Sequence, residues 1–522
     1  MELFNSAPVP NLNNAQFSVI VPNVVGGGSI VNGMVYDRGA RADYDAWEKL
    51  GNPGWNFNGL LPYFKRSTTF TPPSPAKARE FDMTWDPAAY GNGPVQITLT
   101  NFQFPDLKPF WAAWKTEGVP LPKDPNLGQA VGAYWTPSNT DVRDGTRSSS
   151  TKAYYKPNAS RPNLRLLTGQ TVTQILFDGL TAKGVRYVSK DNKVTDVFAR
   201  KEVILAAGAI ATPKLLQSSG IGPKSVLQAA GVTVKKDLPA VGANFQDHPW
   251  AIMLFNLNNT SFPDPNTINV NATYNASVWQ EYNQYHTGQI ATSRGNTLTF
   301  LSLPQVTSAF QAIVNKLKSQ NPLTYLPSIY GSNTALLNGF KAQRDILIKS
   351  LGGNDGAVVE YPVPAGGFGT LALQKPLSRG TIGLDPANPS GPPIVQYNTL
   401  MNPVDTDVLV ASVRRNRKYW SNALLKKFSP VETLPGAQAS TDQQIIDAFK
   451  GLLQPSFAHP SGSCAMMSEN LGGCVSSQLL VYGTKKLSIV DASILPLIPA
   501  CHLQATMYGV AEKAADIIKS RA

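Results

Sequence analysis

The chain has 522 residues, of which 42% are hydrophobic and 15% are charged, and this balance describes a globular protein with a sizeable core. Its length predicts two domains or one large two-lobed unit, and its 42 glycines and 41 prolines exclude a plain helical bundle. The net charge of +12 makes nucleic acid or an anionic surface a partner to consider.

The densest basic run lies in residues 414–427, where it interleaves with Val413, Tyr419 and Trp420. This spacing is typical of the solvated face of an amphipathic helix, and the other basic residues are dispersed. We therefore expect no nucleic-acid partner. The longest apolar stretches, such as residues 203–211, are too short to cross a bilayer, so we expect no membrane span.

The start of the sequence carries no secretion signal, because the first basic residue is Arg38 and no apolar run follows Met1. Asn-x-Ser/Thr sequons are nevertheless frequent, and most of them crowd one Asn-rich stretch. They begin at Asn158, Asn258, Asn259, Asn271 and Asn275. Such a cluster in a loop-like segment favours a secreted parent protein, and we expect the natural start to lie upstream of Met1.

The first candidate site is the glycine-rich string VVGGGSIVNGM, residues 24–34. Its glycines and serine let a backbone approach a phosphate or a flavin ring closely, although a flexible loop would have the same composition. The string differs from the nucleotide fingerprint G-x-G-x-x-G, and the chain has no G-x-S-x-G motif that would indicate a serine hydrolase.

Residues 163–206 are rich in β-branched residues at short spacing and predict strands. The next segment predicts a helix with Thr212 as its N-cap and Pro213 at its first position. A strand that runs through a tight turn at Gly208 and Ala209 into a helix is the unit of an α/β sheet, which binds ligands at its strand ends.

Residues 355–400 alternate apolar and polar side chains, which predicts half-buried antiparallel strands. The tail predicts a strand from Leu487 and then a helix whose apolar face includes Met507, Val510 and Ala514. The layout indicates an α/β nucleotide-binding lobe that is interrupted by a mixed lobe with an antiparallel sheet.

Four histidines are available for acid–base chemistry. His459 and His502 each lie in a Gly/Pro/Ser-rich connection ahead of an apolar or helical run, where functional loops are common. His248 lies in a QDHP turn, and His286 lies in a polar stretch that indicates a surface position. A structural role remains the alternative for each of them.

Three cysteines cannot all pair, so the chain is not a disulfide scaffold; one bridge with one free thiol and three buried thiols both remain open. A zinc site is the alternative interpretation of the same region. Its ligands would come from His459, Cys464, Cys474, Cys501 and His502. Because these spacings match no zinc-binding pattern, we expect no metal site.

Five segments resemble, in order, those of the glucose–methanol–choline (GMC) oxidoreductases. They are residues 24–47, 208–222, 241–249, 376–384 and 487–496. The sequence departs from the family's first signature at Pro22 and Asn23, directly before the first of these segments. The resemblance covers essentially the whole chain and is strongest to fungal aryl-alcohol-oxidase-like and secondary-metabolism members.

This resemblance implies an α/β fold (α+β overall) of the two-lobed GMC type. Residues 1–60, 145–250 and 455–522 would form a dinucleotide-binding-like FAD lobe. Residues 61–144 and 251–454 would form a substrate lobe with an antiparallel sheet and helices. The expected activity is FAD-dependent oxidation of a small alcohol, aromatic or from secondary metabolism, with oxygen or a quinone as the electron acceptor.

The resemblance also implies roles for individual residues. His459 would be the general base that takes the alcohol proton as hydride passes to flavin N5, and His502 would hydrogen-bond the substrate oxygen; imidazole suits this work because its pKa lies near neutrality. The implied flavin contacts are Gly27, Gly28, Ser29, Asn32, Gly33, Met34, Val172, Asp491, Ala492, Gln504 and Thr506.

A dinucleotide fold begins with a strand, G-x-G-x-x-G and a helix, and none of these precedes Val24. The FAD lobe would then lack its first βαβ unit, so we expect the chain as written to bind FAD weakly or not at all. Two alternatives to an alcohol oxidoreductase remain open. One is a non-redox lyase or cyclase on the same scaffold, and the other is a degenerate paralogue that holds no FAD.

Overall fold

The computed structural model describes residues 2–292, 296–363 and 365–521, and this part of the chain is built of both strands and helices. The strands are β1 Glu2–Asn5, β2 Ser18–Val21, β3 Thr68–Thr71, β4 Val95–Thr98, β5 Gly132–Trp135, β6 Thr140–Asp141, β7 Thr146–Arg147, β8 Gln170–Asp178, β9 Thr181–Ser189, β10 Val194–Phe198, β11 Val203–Leu205, β12 Ile221–Gly222, β13 Lys236–Asp237, β14 Trp250–Asn256, β15 Thr297–Leu301, β16 Val359–Pro362, β17 Phe368–Leu373, β18 Thr381–Gly383, β19 Ile394–Gln396, β20 Val431–Leu434 and β21 Leu487–Ile489. The α-helices are α1 Gly28–Val31, α2 Arg41–Lys49, α3 Phe57–Ser67, α4 Pro75–Glu80, α5 Leu107–Thr116, α6 Gly208–Ser218, α7 Lys224–Ala229, α8 Thr267–Val270, α9 Ala272–Tyr285, α10 Leu303–Val306, α11 Phe310–Ser319, α12 Thr334–Gly352, α13 Pro403–Trp420, α14 Asp442–Lys450 and α15 Leu503–Ser520.

The largest sheet is antiparallel, with the strand order β20-β14-β17-β16-β15-β5. Its β16–β17 pair confirms the antiparallel strands predicted in residues 355–400. The predicted half-burial holds for the antiparallel pair β18–β19 but is wrong for β16 and β17. β17 is buried from Gly369 to Leu373, because α13 packs across the sheet. Tyr361 of β16 donates a hydrogen bond to the carbonyl oxygen of Ser412 in that helix at 2.8 Å.

A second, parallel pairing joins β11 to β21, and β11 leads directly into α6. This confirms the predicted strand–turn–helix unit, whereas the predicted N-cap at Thr212 is wrong. The helix begins at Gly208, because the Asp491 carboxylate accepts hydrogen bonds from the Gly208 amide at 2.9 Å and from Thr212 Oγ1 at 2.6 Å. Pro213 therefore lies inside the helix, where its ring leaves the Ala209 carbonyl free to accept from Ser463 Oγ.

The predicted strands of residues 163–206 are confirmed. β8, β9 and β10 form an antiparallel sheet, and β11 follows them. The outward face of this sheet carries Val172 of β8, which is 40% exposed, and Phe198 of β10.

The basic run of residues 414–427 is only partly a solvated face. Arg415 is buried and lies 3.3 Å from Glu117, and Arg417 lies 2.8 Å from Glu432. Paired in this way, the two arginines hold α13 to neighbouring elements. Within the described residues, no helix combines the length and the apolar character that crossing a membrane requires.

The polar and titratable side chains of the candidate site come from the large sheet and from the start of α15. His248 directly precedes the β14 region, Gln374 follows β17, and Glu360 lies within β16. His502 is the N-cap residue of α15. Secondary structure thus brings these side chains together from distant parts of the chain.

Candidate active site

The glycine-rich loop of residues 24–34 leaves bare backbone beside open space. Gly26 and Gly27 have φ values of 106° and 52°, which side chains disfavour. A Cβ added at Gly27, Gly28 or Gly33 would meet no atom within 4 Å. The loop can therefore accept close approach of a ligand.

Asn32 connects this loop to α15. Its Nδ2 donates to Oε1 of Gln504 at 2.8 Å. Its Oδ1 accepts from the amide of Met34 at 2.9 Å and from Arg147 at 2.6 Å. These bonds fix the loop relative to the first turn of α15, where His502 is the N-cap.

The two predicted catalytic histidines lie side by side. The ring centroids of His459 and His502 are 5.2 Å apart, and their planes meet at 84°. Phe457 stands beside both rings, at 5.4 and 6.0 Å. His459 is 9% exposed, and the His502 side chain is 15% exposed, so the pair is nearly enclosed but not sealed.

His502 lies between two buried carboxylates. Its Nδ1 is 3.2 Å from Oδ1 of Asp37, but the angle is too poor for a hydrogen bond. Its Nε2 is 3.7 Å from Oε1 of Glu360. Burial alone would lower the pKa of His502, but Glu360 and Asp37 outweigh it and raise the pKa to about 9. Because a helix N-terminus disfavours a cation, these carboxylates are what keeps His502 charged near neutral pH.

Glu360 is itself unusual, because it is a fully buried acid in the middle of a strand. Burial raises its pKa to about 7. Its Oε2 accepts a hydrogen bond from Nε2 of Gln374 at 3.0 Å, and its Oε1 has no aligned partner among the described residues. Glu360 is therefore ionised above pH 7, the range in which an ordinary histidine would be neutral.

His459 contacts a third histidine, His248, which is fully buried. Nδ1 of His459 lies 3.0 Å from Nδ1 of His248, and the two rings are perpendicular. Burial lowers the pKa of His248 to about 3, and burial with the neighbouring histidines lowers that of His459 well below 6.5. The site thus combines a neutral His459 with a charged His502.

One carboxylate shapes the loop that carries His459. Oδ1 of Asp247 accepts from three backbone amides, those of His248 at 2.8 Å, His459 at 3.1 Å and Phe457 at 3.2 Å. Its Oδ2 accepts from Ser456 Oγ at 2.6 Å. Burial raises the pKa of Asp247 to about 7, while these four donors favour the ionised form.

We expect Asp247→Ala to destabilise the protein by about 3 kcal/mol or more, since it leaves three backbone amides without an acceptor. Asp247→Asn is the matched control, because its Oδ1 can keep all three bonds. The measurement is the unfolding free energy in urea. If the alanine and asparagine variants are equally stable, Asp247 does not hold this loop.

The other predicted cofactor residues occupy different environments. Ser29 Oγ lies 2.9 Å from Ser150 Oγ at the base of the glycine-rich loop. Asp491 accepts hydrogen bonds from Gly208 and Thr212 of α6, and its neighbour Ala492 is half-buried. Thr506 is fully buried, with its hydroxyl 2.8 Å from Tyr44 Oη. Val172 lies on β8, outside the His459–His502 region.

Three residues of the site, Asp37, Asp247 and Glu360, were not singled out by the sequence, and His248 was named there without a role. Asp247 and His248 lie in a segment that resembles the family, and Asp37 lies in another. For Asp37, Asp247 and His248, the sequence shows a family-like segment but does not indicate what the residue does. Glu360 lies in no recognisable motif. A lone glutamate in an apolar strand can be assigned a role only once its neighbour in the fold is known, which here is His502.

All three cysteines are free and buried. Of the two possibilities left open by the sequence, the structure has three buried thiols. Across residues 2–292, 296–363 and 365–521, no group of three or more histidine, cysteine or acidic side chains is arranged to hold a metal ion. The zinc interpretation of the His459–His502 region therefore gains no support.

Known proteins resemble this chain over nearly its whole length. The sequence profiles of the GMC oxidoreductases match residues 1–250 and 376–511. The dehydrogenase xptC of Emericella nidulans is 35% identical, with 98% of this chain and 83% of that protein covered. The GMC oxidoreductase family protein Mala s 12 of Malassezia sympodialis is 31% identical, with coverage of 99% and 82%.

Solved structures agree with the sequence relatives. An FAD-dependent oxidoreductase from Chaetomium thermophilum superposes with a TM-score of 0.96 at 38% identity, covering 99% of this chain and 89% of that chain. A fungal aryl-alcohol oxidase superposes with a TM-score of 0.95 at 34% identity and the same coverage. This chain therefore belongs to the GMC oxidoreductase family and has its fold.

Proposed function

We propose that this protein is an FAD-dependent alcohol oxidoreductase in which His459 is the general base. The observation that carries the proposal is that the rings of His459 and His502 lie side by side, 5.2 Å apart, both partly exposed and both flanked by the ring of Phe457. Family membership supplies the reaction class, and the relatives named above are described as a dehydrogenase, an FAD-dependent oxidoreductase and an aryl-alcohol oxidase.

The residues of the glycine-rich loop fit a flavin. Open space borders Gly27, Gly28 and Gly33, so a Cβ at any of them would occupy room that a bound ring or pyrophosphate needs. Gln504 and Asn32 would hold the loop side of the cofactor next to His502. When bound, the flavin would accept the hydride from the alcohol carbon.

The two histidines have different roles at the hydroxyl group of the alcohol. His459 is neutral, so one ring nitrogen has a lone pair that can accept the hydroxyl proton. His502 is protonated, and its Nε2 is too far from Glu360 for a hydrogen bond, so Nε2 can donate to the substrate oxygen. That donation stabilises the negative charge that develops on the oxygen as the proton leaves.

The substrate side favours an alcohol with an aromatic or apolar body. The Phe457 ring lies beside both histidines and 5.2 Å from the Trp250 ring, with a tilt of 44° between the two planes, and the two rings together make an aromatic wall. Near His502, three buried polar atoms have no aligned partner among the described residues: Asp37 Oδ2, Tyr134 Oη and Glu360 Oε1. Such atoms require water or a polar ligand group.

The test is anaerobic mixing of the FAD-loaded protein with aryl and aliphatic alcohols. Loss of the oxidised-flavin absorbance together with aldehyde or ketone formation supports the proposal. Product formation without any change in the flavin spectrum would instead indicate a lyase or cyclase. A chain that retains no FAD after incubation and gel filtration would favour the non-binding paralogue. Re-oxidation by air or by a quinone then identifies the electron acceptor.

The sequon cluster supports passage through the secretory pathway. Asn258 and Asn259 are exposed after the end of β14, and Asn259 Nδ2 is bonded to the carbonyl oxygen of Lys427 at 3.2 Å. Of these two, Asn258 is therefore the sequon that glycan transfer can reach without breaking a side-chain bond seen in the described residues. We expect glycosidase treatment of protein from a fungal secretory host to lower its mass, and we expect Asn258→Gln to remove part of that shift.

A further inference from the structure

A buried ion pair joins α2 to the end of the large sheet. Lys375, the second residue after β17, places its ammonium group against Oδ1 of Asp43 in α2. The two side chains are only 7% and 1% exposed. In the described part of the chain Lys375 forms no other ion pair. Because water screens neither charge, the two groups hold each other strongly, and losing one partner would leave the other buried and unpaired.

Asp43 also fixes the bend that leads to His502. Its Oδ2 accepts hydrogen bonds from the amide of Ala40 at 2.9 Å and from the amide of Ala500 at 3.3 Å. Two residues after Ala500, the amide of His502 donates to Oδ1 of Asp37 at 3.1 Å. Two carboxylates therefore hold the backbone that carries His502. Of the two, Asp43 is the one that is ion-paired with the large sheet.

The sheet side of the ion pair leads to Glu360. Gln374 directly precedes Lys375, and its Nε2 donates to Oε2 of Glu360 at 3.0 Å. The other carboxylate oxygen of Glu360, Oε1, lies 3.7 Å from Nε2 of His502. The contacts therefore form a closed ring, in the order His502, Glu360, Gln374, Lys375, Asp43 and back to His502.

Apolar packing alone controls this spacing less well. One small cluster contains Tyr134 and Phe300 from the sheet together with Ala40 and Ala500 from the two segments that Asp43 holds. An alanine side chain is a single methyl group, so it makes few contacts that would resist a shift of the bend along the sheet. A buried ion pair, by contrast, loses much of its attraction when its partners separate.

We propose that Lys375 and Asp43 are a positioning pair that holds His502 at its distance from Glu360. The consequence for the reaction rate rests on the proposed function of His502 as a donor to the substrate oxygen. Neither side chain of the pair forms a hydrogen bond or an ion pair with the His502 ring in the described residues. Asp43 acts through the amide of Ala500, and Lys375 acts through the neighbouring Gln374.

The test replaces the ion pair by neutral side chains, Lys375→Met together with Asp43→Asn. Asparagine can still accept from the amides of Ala40 and Ala500, and neutral replacement of a buried ion pair is often tolerated without loss of stability. The double variant removes one charge of each sign, so its direct electrostatic effect on His502 is small.

The matched control is Arg415→Met together with Glu117→Gln. This second buried ion pair, 3.3 Å between its charged atoms, holds α13 and forms no bond with His459 or His502 in the described residues. A general loosening of the protein would affect the control and the test variant alike.

The first readout is the titration of His502, followed by NMR of protein with isotope-labelled histidine, which requires no turnover. The titratable groups that contact its ring are Asp37, Glu360 and His459. Glu360 and Asp37 raise the pKa of His502 to about 9, so release from Glu360 should lower the titration midpoint by about 1 pH unit in the double variant. The control should keep the wild-type midpoint. An unchanged midpoint in the double variant, or an equal fall in the control, overturns the proposal.

A single variant keeps the test decisive if the double variant does not fold. In Lys375→Met, loss of a nearby positive charge would by itself raise the His502 midpoint, whereas release from Glu360 lowers it. A fall supports the proposal, and a rise or no change overturns it.

The second readout is steady-state kinetics per bound flavin. We expect the double variant to lower kcat by about 10- to 100-fold with little change in KM, since a small misplacement of a catalytic group has a cost of this size. A wild-type kcat in the double variant also overturns the proposal. If the wild-type protein oxidises no alcohol, the proposed function fails, and the shift of the His502 midpoint still decides whether Lys375 and Asp43 position this residue.

Discussion

Replacing His459 by asparagine should lower kcat/KM for alcohol oxidation by about 10²- to 10⁴-fold, the range that a positioned general base contributes. The side-chain amide of asparagine cannot accept a proton at working pH. The loop itself should survive, because Asp247 holds it through the backbone amide of His459 and not through the imidazole ring. The measurement is steady-state kinetics per bound flavin, with flavin content determined for each preparation.

His286→Asn is the matched control for this substitution. His286 is exposed and ends α9 with a φ of 56°, a conformation that asparagine tolerates well. We expect it to have wild-type kinetics. If His459→Asn oxidises alcohols at the wild-type rate with full flavin content, His459 is not the base and another group must take the proton.

Local signals in the sequence predicted much of the fold. The strands of residues 163–206 carry β-branched residues between turn residues, and tertiary packing does not override that pattern. The start of α6 could not be found in this way. Thr212 and Pro213 look like a helix start, but the Asp491 carboxylate, which lies far away in sequence, satisfies the amide of Gly208 and extends the helix by one turn.

The candidate site shows the same division between local motif and long-range contact. His459 and His502 stand out because each lies in a Gly/Pro/Ser-rich connection ahead of an ordered segment. Their protonation states depend on groups that the sequence places far apart: Glu360 and Asp37 on one side and His248 on the other. A pattern of residue types gives no information about such charges, because it does not contain the distance between them.

Replacing His502 by leucine should lower kcat/KM by about 10²- to 10³-fold, the cost of removing one donor aimed at a developing oxyanion. His502→Gln keeps a neutral donor and should lose less. The leucine variant removes no cap from α15, since the His502 side chain makes no capping bond. A fall in kcat with an unchanged unfolding midpoint separates a catalytic effect from a structural one.

The pH profile gives the more specific result for this residue. The pKa of His502 is raised to about 9, so kcat/KM should fall as pH rises through about 9, where the donor loses its charge. On the acid side, the pKa of His459 lies well below 6.5, so the base stays unprotonated through neutrality. Glu360→Gln removes a negative charge that favours the protonated imidazole, and the alkaline fall should then move to lower pH. His502→Gln should lose this fall altogether, because its amide does not titrate; an alkaline fall that stays near pH 9 in both variants would show that some other group titrates there.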